Sequence, residues 1–212
     1  MSVLPLKIGR GTASRALTSS RKEMYISIIF IFISAFWLLS EIILSRARRS
    51  EAKDSSRLDK SSLRFLWIAI FLSVFLGVFL GVKGVGFIRV RHHLLSNCGI
   101  FLMLLGLVIR WTAILTLRKY FTVDVSILEG HKIVKKGLYK YIRHPSYAGS
   151  LVSFLGLGLA FSNWLSSIVM FLPILMAFIY RMQVEEKALI QAFGEEYLDY
   201  SNTTKRLIPK IY

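Results

Sequence analysis

The 212-residue sequence is poor in cysteine, in acidic residues and in the short motifs that mark most soluble enzymes. Its single cysteine, Cys98, cannot form an intrachain disulfide and lies in an apolar run, so it indicates neither an oxidising compartment nor a nucleophile with an orienting base. GxSxG, GxGxxG, HExxH and Walker motifs are all absent. These absences argue against serine hydrolases of the common type, soluble nucleotide-binding folds and zinc peptidases.

Acidic residues number 12 against 28 lysines and arginines, which gives a formal charge of +16. Such a charge can indicate nucleic-acid binding, but these cations flank apolar runs, where attraction to anionic lipid headgroups is the commoner cause. We therefore expect membrane lipids and no nucleic acid as partners. The four histidines lack metal-ligand spacing, because His92 and His93 are adjacent and His131 and His144 lie thirteen residues apart, so no metal is expected.

Long apolar runs make up most of the chain, in which 54% of residues are hydrophobic. The run from Ala148 to Tyr180 contains no charge and as a helix would be roughly 50 Å long, whereas a bilayer core is about 30 Å thick. We interpret it as a helical hairpin that turns at Ser162, Asn163 and Trp164. The sequence thus predicts an all-α integral membrane protein of about five transmembrane helices, at 24–44, 65–82, 98–117, 148–161 and 165–180. A flexible basic tail, 1–23, would precede this single domain, 24–212.

The distribution of cations predicts which side of the membrane each loop faces. Nineteen lysines and arginines fall in the first loop, the third loop and the C-terminal region, against eight in the other segments. The positive-inside rule then places the start and end of the hairpin on the cytoplasmic side, although the five cations of the N-terminal tail oppose this orientation. A multi-pass protein with a cytoplasmic pocket is expected.

Polar residues cluster where the hairpin begins and ends. Pro145 suits the first position of a helix because its missing N–H would be unpaired there, which makes His144 the N-cap and leaves helix donors facing an anion. At the other end Arg181 and Glu185 are four residues apart on one helix face. A weak surface ion pair explains those two equally well, but a hairpin would bring them beside His144 and Tyr147.

The segments HKIVKKGLYKYIRHPSYAG and RMQVEEKALIQAFGEEYLDY, with the hairpin between them and TKRLIPKIY at the end, resemble the isoprenylcysteine carboxyl methyltransferase family. The resemblance covers Lys119–Tyr212, and the N-terminal half matches in hydropathy alone. It implies S-adenosyl-L-methionine as cofactor, bound between the loop before the hairpin and the helix after it, and Arg181 as the catalytic residue that anchors the substrate. By motif position the cofactor contacts would be His131, Lys132, Ile133, Val134, Tyr139, His144, Pro145, Ser146, Tyr147 and Glu185.

The resemblance further implies a lipophilic acceptor, such as the C-terminal carboxylate of a prenylated cysteine. A carboxylate is already ionised at neutral pH and needs no general base, so Arg181 could hold one oxygen while the other meets the methyl group. An amine or thiol acceptor would need a base, for which His131, His144 and Glu186 are candidates.

Three alternatives remain open at this stage. A phospholipid-amine or small-thiol methyltransferase of the same superfamily would share the cofactor motifs. A nicotinamide-dependent sterol reductase would also carry an RHPxY-like segment, but it would lack the RxxxEE arrangement. In a non-catalytic membrane protein the same residues would form a basic belt at the headgroups. Arg110, inside a predicted span, could be functional or could extend its charge to the interface.

Overall fold

The computed structural model describes residues 30–44, 46, 57–89, 92–123, 125, 127 and 130–212, and over these residues the regular structure is helical. The predicted tail 1–23 and the start of the first predicted span lie outside the described residues. Two 3₁₀ turns, Arg118–Tyr120 and Gly137–Lys140, accompany the helices. The α-helices are α1 (Phe30–Leu44), α2 (Arg57–Lys83), α3 (His92–Leu117), α4 (Pro145–Ala160), α5 (Trp164–Phe193) and α6 (Glu195–Thr203).

Three segments of the described chain are long and apolar enough to cross a membrane: Ser61–Lys83, His93–Tyr120 and Trp164–Phe193. The described part of α1 and the 16-residue α4 are apolar but shorter. At 1.5 Å per residue α4 measures about 24 Å, less than the hydrocarbon core. The expectation of an integral membrane protein is therefore supported, and the count of five spans stays a prediction.

The turn of the hairpin lies where the sequence predicts it. α4 ends at Ala160, Ser162 has a φ of 50°, and Asn163 caps α5 by accepting a hydrogen bond from Ser166 N at 3.0 Å. Asn163 also donates to Val85 O at 2.7 Å, which ties this turn to the end of α2. The turn is thus fixed by a buried amide that reaches a second loop.

α5 continues beyond the predicted span 165–180 and ends at Phe193, so Arg181 and Glu185 lie on one helix, as expected from the sequence. Hydropathy marks where a helix stops contacting lipid and does not mark where it ends. α5 stops at Gly194, which has a φ of 53°. The same helix therefore carries both an apolar stretch and the polar residues from Arg181 onward.

Close packing of α3 on α4 positions the start of α4. A Cβ atom added at Gly149 would lie 2.6 Å from Arg110 N, and one at Gly156 would lie 2.6 Å from Met103 N. Glycine at these positions lets the two backbones touch, as in many membrane helix pairs. The opposite face of the hairpin packs on α2 through α5. The polar ends of α4 and α5 consequently meet at one end of the bundle.

Candidate active site

A cavity of about 940 Å³ lies among α1, α2, the loop before the hairpin, the start of α4 and the polar part of α5. It brings together nearly all the residues that the motifs singled out. Pro145 is the exception, since it occupies the first position of α4 and is fully buried. The predicted residues that line the cavity are His131, Lys132, Ile133, Val134, Tyr139, His144, Ser146, Tyr147, Arg181 and Glu185.

The start of α4 has the arrangement predicted from the His-Pro pair. His144 is the N-cap, and its carbonyl accepts hydrogen bonds from Tyr147 N at 3.1 Å and Ala148 N at 3.0 Å. The imidazole is buried and stacks on the Tyr147 ring, with centroids 5.5 Å apart. Tyr147 stacks in turn against Phe178 of α5 at 4.9 Å. Aromatic contacts therefore fix this corner of the cavity.

Glu185 and Glu186 are adjacent in sequence but have different surroundings. Glu185 lines the cavity and accepts a hydrogen bond from Tyr147 Oη at 2.7 Å. Glu186 is buried away from it and accepts from Arg143 Nε at 2.9 Å, Arg206 Nη2 at 2.7 Å and His144 Nε2 at 3.1 Å. A carboxylate held by two guanidinium groups is poorly placed to take a proton from substrate. Glu186 therefore fits the role of a structural anchor better than that of a base.

Arg181 is almost completely buried, with 1% of its surface exposed, yet its side chain borders the cavity. Nη1 donates to Ser62 Oγ of α2 at 2.6 Å, and Nη2 donates to Val123 O of the loop at 2.8 Å. The guanidinium is thus held by two elements other than its own helix. Ser62 was missed because it ends a polar segment typical of a solvated linker, whereas here it is fully buried on α2.

The side chain of Arg110 is buried and forms hydrogen bonds within the protein. Its Nη2 donates to Glu41 Oε2 at 2.6 Å, its Nε pairs with the other oxygen of the same carboxylate, and its Nη1 donates to Ser146 Oγ at 2.8 Å. Glu41, Arg110 and Ser146 all line the cavity. This bidentate pair joins α1 to α3, and the bond from Arg110 to Ser146 ties α3 to the first turn of α4.

His131 lies between two aromatic rings in the loop before the hairpin. It stacks on Tyr120 with centroids 4.9 Å apart and meets Phe193 edge-on at 5.5 Å. Burial lowers the pKa of His131 below its ordinary value, and the nearby charge of Glu185 only partly opposes this. Its Nδ1 is buried and has no hydrogen-bond partner within the described chain. A neutral imidazole with a spare polar atom suits contact with a ligand.

Tyr139 forms the neighbouring wall of the cavity, and burial raises the pKa of its hydroxyl well above the ordinary value. The phenol therefore stays protonated and can donate a hydrogen bond. Its backbone carbonyl accepts from Tyr200 Oη of α6 at 2.7 Å, so α6 supports this wall. Among the described residues no three His, Cys, Asp or Glu side chains are grouped as metal ligands.

Comparison with known proteins identifies relatives of this arrangement. The model of the isoprenylcysteine carboxyl methyltransferase (ICMT) family matches residues 99–191. Protein-S-isoprenylcysteine O-methyltransferase B of Arabidopsis thaliana is 35% identical over 121 residues, which are 56% of this chain and 61% of the relative. Protein-S-isoprenylcysteine O-methyltransferase of Tribolium castaneum is 36% identical over 121 residues, which are 56% of this chain and 43% of the relative.

A solved structure shares the fold. It is that of the eukaryotic intramembrane Ras methyltransferase ICMT, with a TM-score of 0.53 and 30% identity over 72% of this chain and 52% of its own. The chain therefore spans about two fifths to three fifths of the length of these relatives. The resemblance to the isoprenylcysteine carboxyl methyltransferase family that the motifs indicated is confirmed.

Proposed function

We propose that this relative of the isoprenylcysteine carboxyl methyltransferases is itself a membrane methyltransferase. It would transfer a methyl group from S-adenosyl-L-methionine to a lipophilic carboxylate, that of a prenylated cysteine or a similar compound. One observation carries the proposal: a single cavity joins the polar residues of the two motifs to an apolar groove between the helices. A methyl donor and a lipid-linked acceptor need such a pair of adjoining compartments.

The residues of the polar compartment fit the chemistry of the cofactor. Glu185 can accept hydrogen bonds from an ammonium group or ribose hydroxyls, and the start of α4 at His144 favours a carboxylate. His131 offers an unpaired buried nitrogen beside aromatic rings, which suits an adenine. We assign cofactor binding to the nine of the ten predicted residues that line the cavity, and Pro145 would act by starting α4. When bound, S-adenosyl-L-methionine supplies an electrophilic methyl group on its sulfonium.

The apolar compartment suits a prenyl chain. Its walls include Trp37 of α1, Val74 of α2 and Phe154 of α4, and it extends along α2 as far as Val82. The stretch of α2 from Leu66 to Val82 measures about 25 Å at 1.5 Å per residue, long enough for an extended isoprenoid. Burial of such a chain would stabilise the complex in proportion to the apolar area removed from water.

Arg181 is positioned to bind the acceptor carboxylate where the two compartments meet. Because its guanidinium is fixed by Ser62 and Val123, little conformational entropy is lost when it binds. An ionised carboxylate needs no base, so the chain contributes orientation and the exclusion of water. The near-complete burial of Arg181 is consistent with a site in which the carboxylate sheds its hydration.

We further propose that α1 to α5 all cross the membrane and that the polar compartment faces the cytoplasm. The support is the nineteen cations on the predicted cytoplasmic side against eight on the other. Reporter fusions at the turn around Ser162 and at the C-terminus should locate on opposite sides of the membrane. Reporters on the same side would contradict this topology.

The activity can be tested on the purified full chain with methyl-labelled S-adenosyl-L-methionine. The acceptors would be a farnesylated cysteine derivative, a phosphatidylethanolamine and a small thiol. Base-labile label on the prenylcysteine supports the proposal if it is lost in Glu185→Ala and kept in Glu195→Ala, which removes an exposed carboxylate of α6. Label on the amine or the thiol alone would show that the acceptor is not a carboxylate. An absence of cofactor binding would overturn the methyltransferase assignment.

A further inference from the structure

We propose that Arg206, in the segment after α6, is a positioning residue for the cofactor site: through Glu186 it sets which nitrogen of His144 faces the cavity. The inference rests on the proposed function, because it concerns how the cofactor is bound. Arg206 lies beyond the region that the family model matches, residues 99–191, and it does not line the cavity. Its effect would therefore be indirect.

The backbone of this segment pairs with the His-Pro motif. Arg143 N donates to Lys205 O at 2.7 Å, His144 N donates to Arg206 O at 3.0 Å, and Lys205 N donates to Tyr141 O at 3.3 Å. These bonds form a short parallel bridge between two stretches that are far apart in sequence. Backbone hydrogen bonds alone thus connect the N-cap of α4 to the C-terminal segment.

The side chains add a second connection through the buried Glu186. Arg206 donates to its Oε2 twice, from Nε at 3.0 Å and from Nη2 at 2.7 Å. The other oxygen, Oε1, accepts from Arg143 Nε at 2.9 Å and His144 Nε2 at 3.1 Å. Arg143 is itself held by the carbonyls of Ser201 and Thr204, at 2.9 and 2.6 Å. Each carboxylate oxygen of Glu186 therefore accepts two hydrogen bonds, and Arg206 donates both of those to Oε2.

This arrangement determines the orientation of the imidazole. An ionised carboxylate only accepts hydrogen bonds, so His144 Nε2 carries a hydrogen and points toward Glu186. Nδ1 is then on the other side of the ring, 3.9 Å from Glu185 Oε2, where Glu185 borders the cavity. With Nε2 engaged by Glu186, Nδ1 is the ring nitrogen left to contact a polar group of the cofactor. Without Arg206 the Oε2 atom loses both donors, and Glu186 can turn away from His144.

The test compares two neighbouring cations in the purified full chain. Arg206→Ala removes the donors to Glu186, whereas Lys205→Ala removes the same charge from an exposed side chain whose residue contributes backbone bonds alone. The measurement is the Kd for S-adenosylhomocysteine by calorimetry. Loss of hydrogen bonds to a charged group should raise this Kd on the order of tenfold or more in Arg206→Ala. Lys205→Ala should stay within about twofold of the unsubstituted chain, since it disturbs no hydrogen bond of a charged group.

Kinetics distinguish positioning from general damage. In Arg206→Ala the KM for the cofactor should rise while kcat at saturating cofactor and the KM for the acceptor are kept, and Arg206→Lys should recover part of the affinity. Should Arg206→Ala fail to fold, Glu186→Gln serves instead, since it keeps the volume but presents a donor where Arg206 requires an acceptor, and it should show the same pattern. Equal Kd values for Arg206→Ala and Lys205→Ala, or parallel losses for cofactor and acceptor, would overturn the inference.

Failure of this inference is separable from failure of the proposed function. If the unsubstituted chain does not bind S-adenosylhomocysteine, the cofactor assignment falls, and the positioning role falls with it. If the unsubstituted chain binds and Arg206→Ala binds equally well, the cofactor assignment stands and Arg206 has no part in it.

Discussion

Arg181 Nη1 of α5 donates to Ser62 Oγ of α2 at 2.6 Å, which joins two buried residues that are 119 positions apart in the sequence. Ser62 lies outside residues 99–191, the region matched by the family model. The proposed substrate anchor thus depends on a part of the chain in which no family motif could be recognised. A hydrogen bond to a charged group in a buried setting contributes about 1.5–3 kcal/mol, enough to affect how well Arg181 is aligned.

The first prediction concerns this contact. Arg181→Ala should reduce kcat/KM for the acceptor about a hundredfold or more, because misplacement of the carboxylate by roughly 1 Å has effects of that size, while cofactor binding is kept. Ser62→Ala should reduce it less, roughly tenfold, through loosening of the guanidinium. Ser61→Ala, at an exposed position on the same helix, is the matched control. Unchanged turnover in Arg181→Ala would remove this residue from the mechanism.

The second prediction concerns the pair of Glu41 and Arg110. Removal of one partner leaves the other charge unpaired where it is largely shielded from water, since the side chains of Arg110 and Glu41 are 11% and 20% exposed. Arg110→Met or Glu41→Leu alone should therefore lower the free energy of unfolding by about 3–5 kcal/mol. The double variant should lose less than the sum of the two, because neither charge is left without its partner. Reversible unfolding in detergent measures all four proteins of this cycle. Additive losses would mean that the two residues are not coupled.

The third prediction concerns pH and His131. Because burial lowers the pKa of His131 in the folded chain, the unfolded chain binds more protons as the pH falls below about 6.5. The contribution of the neutral imidazole to stability is complete above that pH and declines below it, toward the pKa of the folded state. Melting temperatures of the unsubstituted chain should therefore fall more between pH 7 and pH 5 than those of His131→Gln. Parallel curves would contradict the prediction.

The fourth prediction concerns the contact of α3 with α4. Gly149→Val should disrupt the packing that places the start of α4, since its Cβ would lie 2.6 Å from Arg110 N, and backbone at that distance must move. Overpacking of this kind costs about 1–3 kcal/mol and often more where backbone is involved. Leu104→Val, on an exposed face of α3, is the control. The melting temperature and the Kd for S-adenosylhomocysteine should both worsen in Gly149→Val and stay unchanged in the control.

Local signals in the sequence were sufficient to predict the hairpin and its polar entrance. Each of these features depends on residues that are close in sequence. They are the charge-free run, the turn at Ser162 and Asn163, and the capping of α4 by His144 before Pro145. The predicted span 165–180 covers only the apolar part of α5. Charged residues begin at Arg181, but the helix continues to Phe193, because no glycine or proline lies between Tyr180 and Gly194.

Contacts between distant positions could not be predicted in the same way. Three contacts join separate helices or segments: Arg110 with Glu41, Arg181 with Ser62, and Glu186 with Arg206. The local sequence does not indicate which cation binds which acceptor. The pairing follows from helix packing, which brings particular faces together. Glu186 shows the limit most clearly, since its neighbour Glu185 has the same side chain and lies in the cavity instead.

The bridge between residues 141–144 and 205–206 also has a consequence for biosynthesis. A chain is made from its N-terminus, and its segments fold in that order as they become available. Arg206 is needed to complete the surroundings of His144, so a nascent chain that has inserted its hairpin still lacks one side of this pocket. Assembly of the site is thereby postponed until Arg206 has left the ribosome, and a product that stops short of Arg206 would contain the hairpin but lack this side of the site.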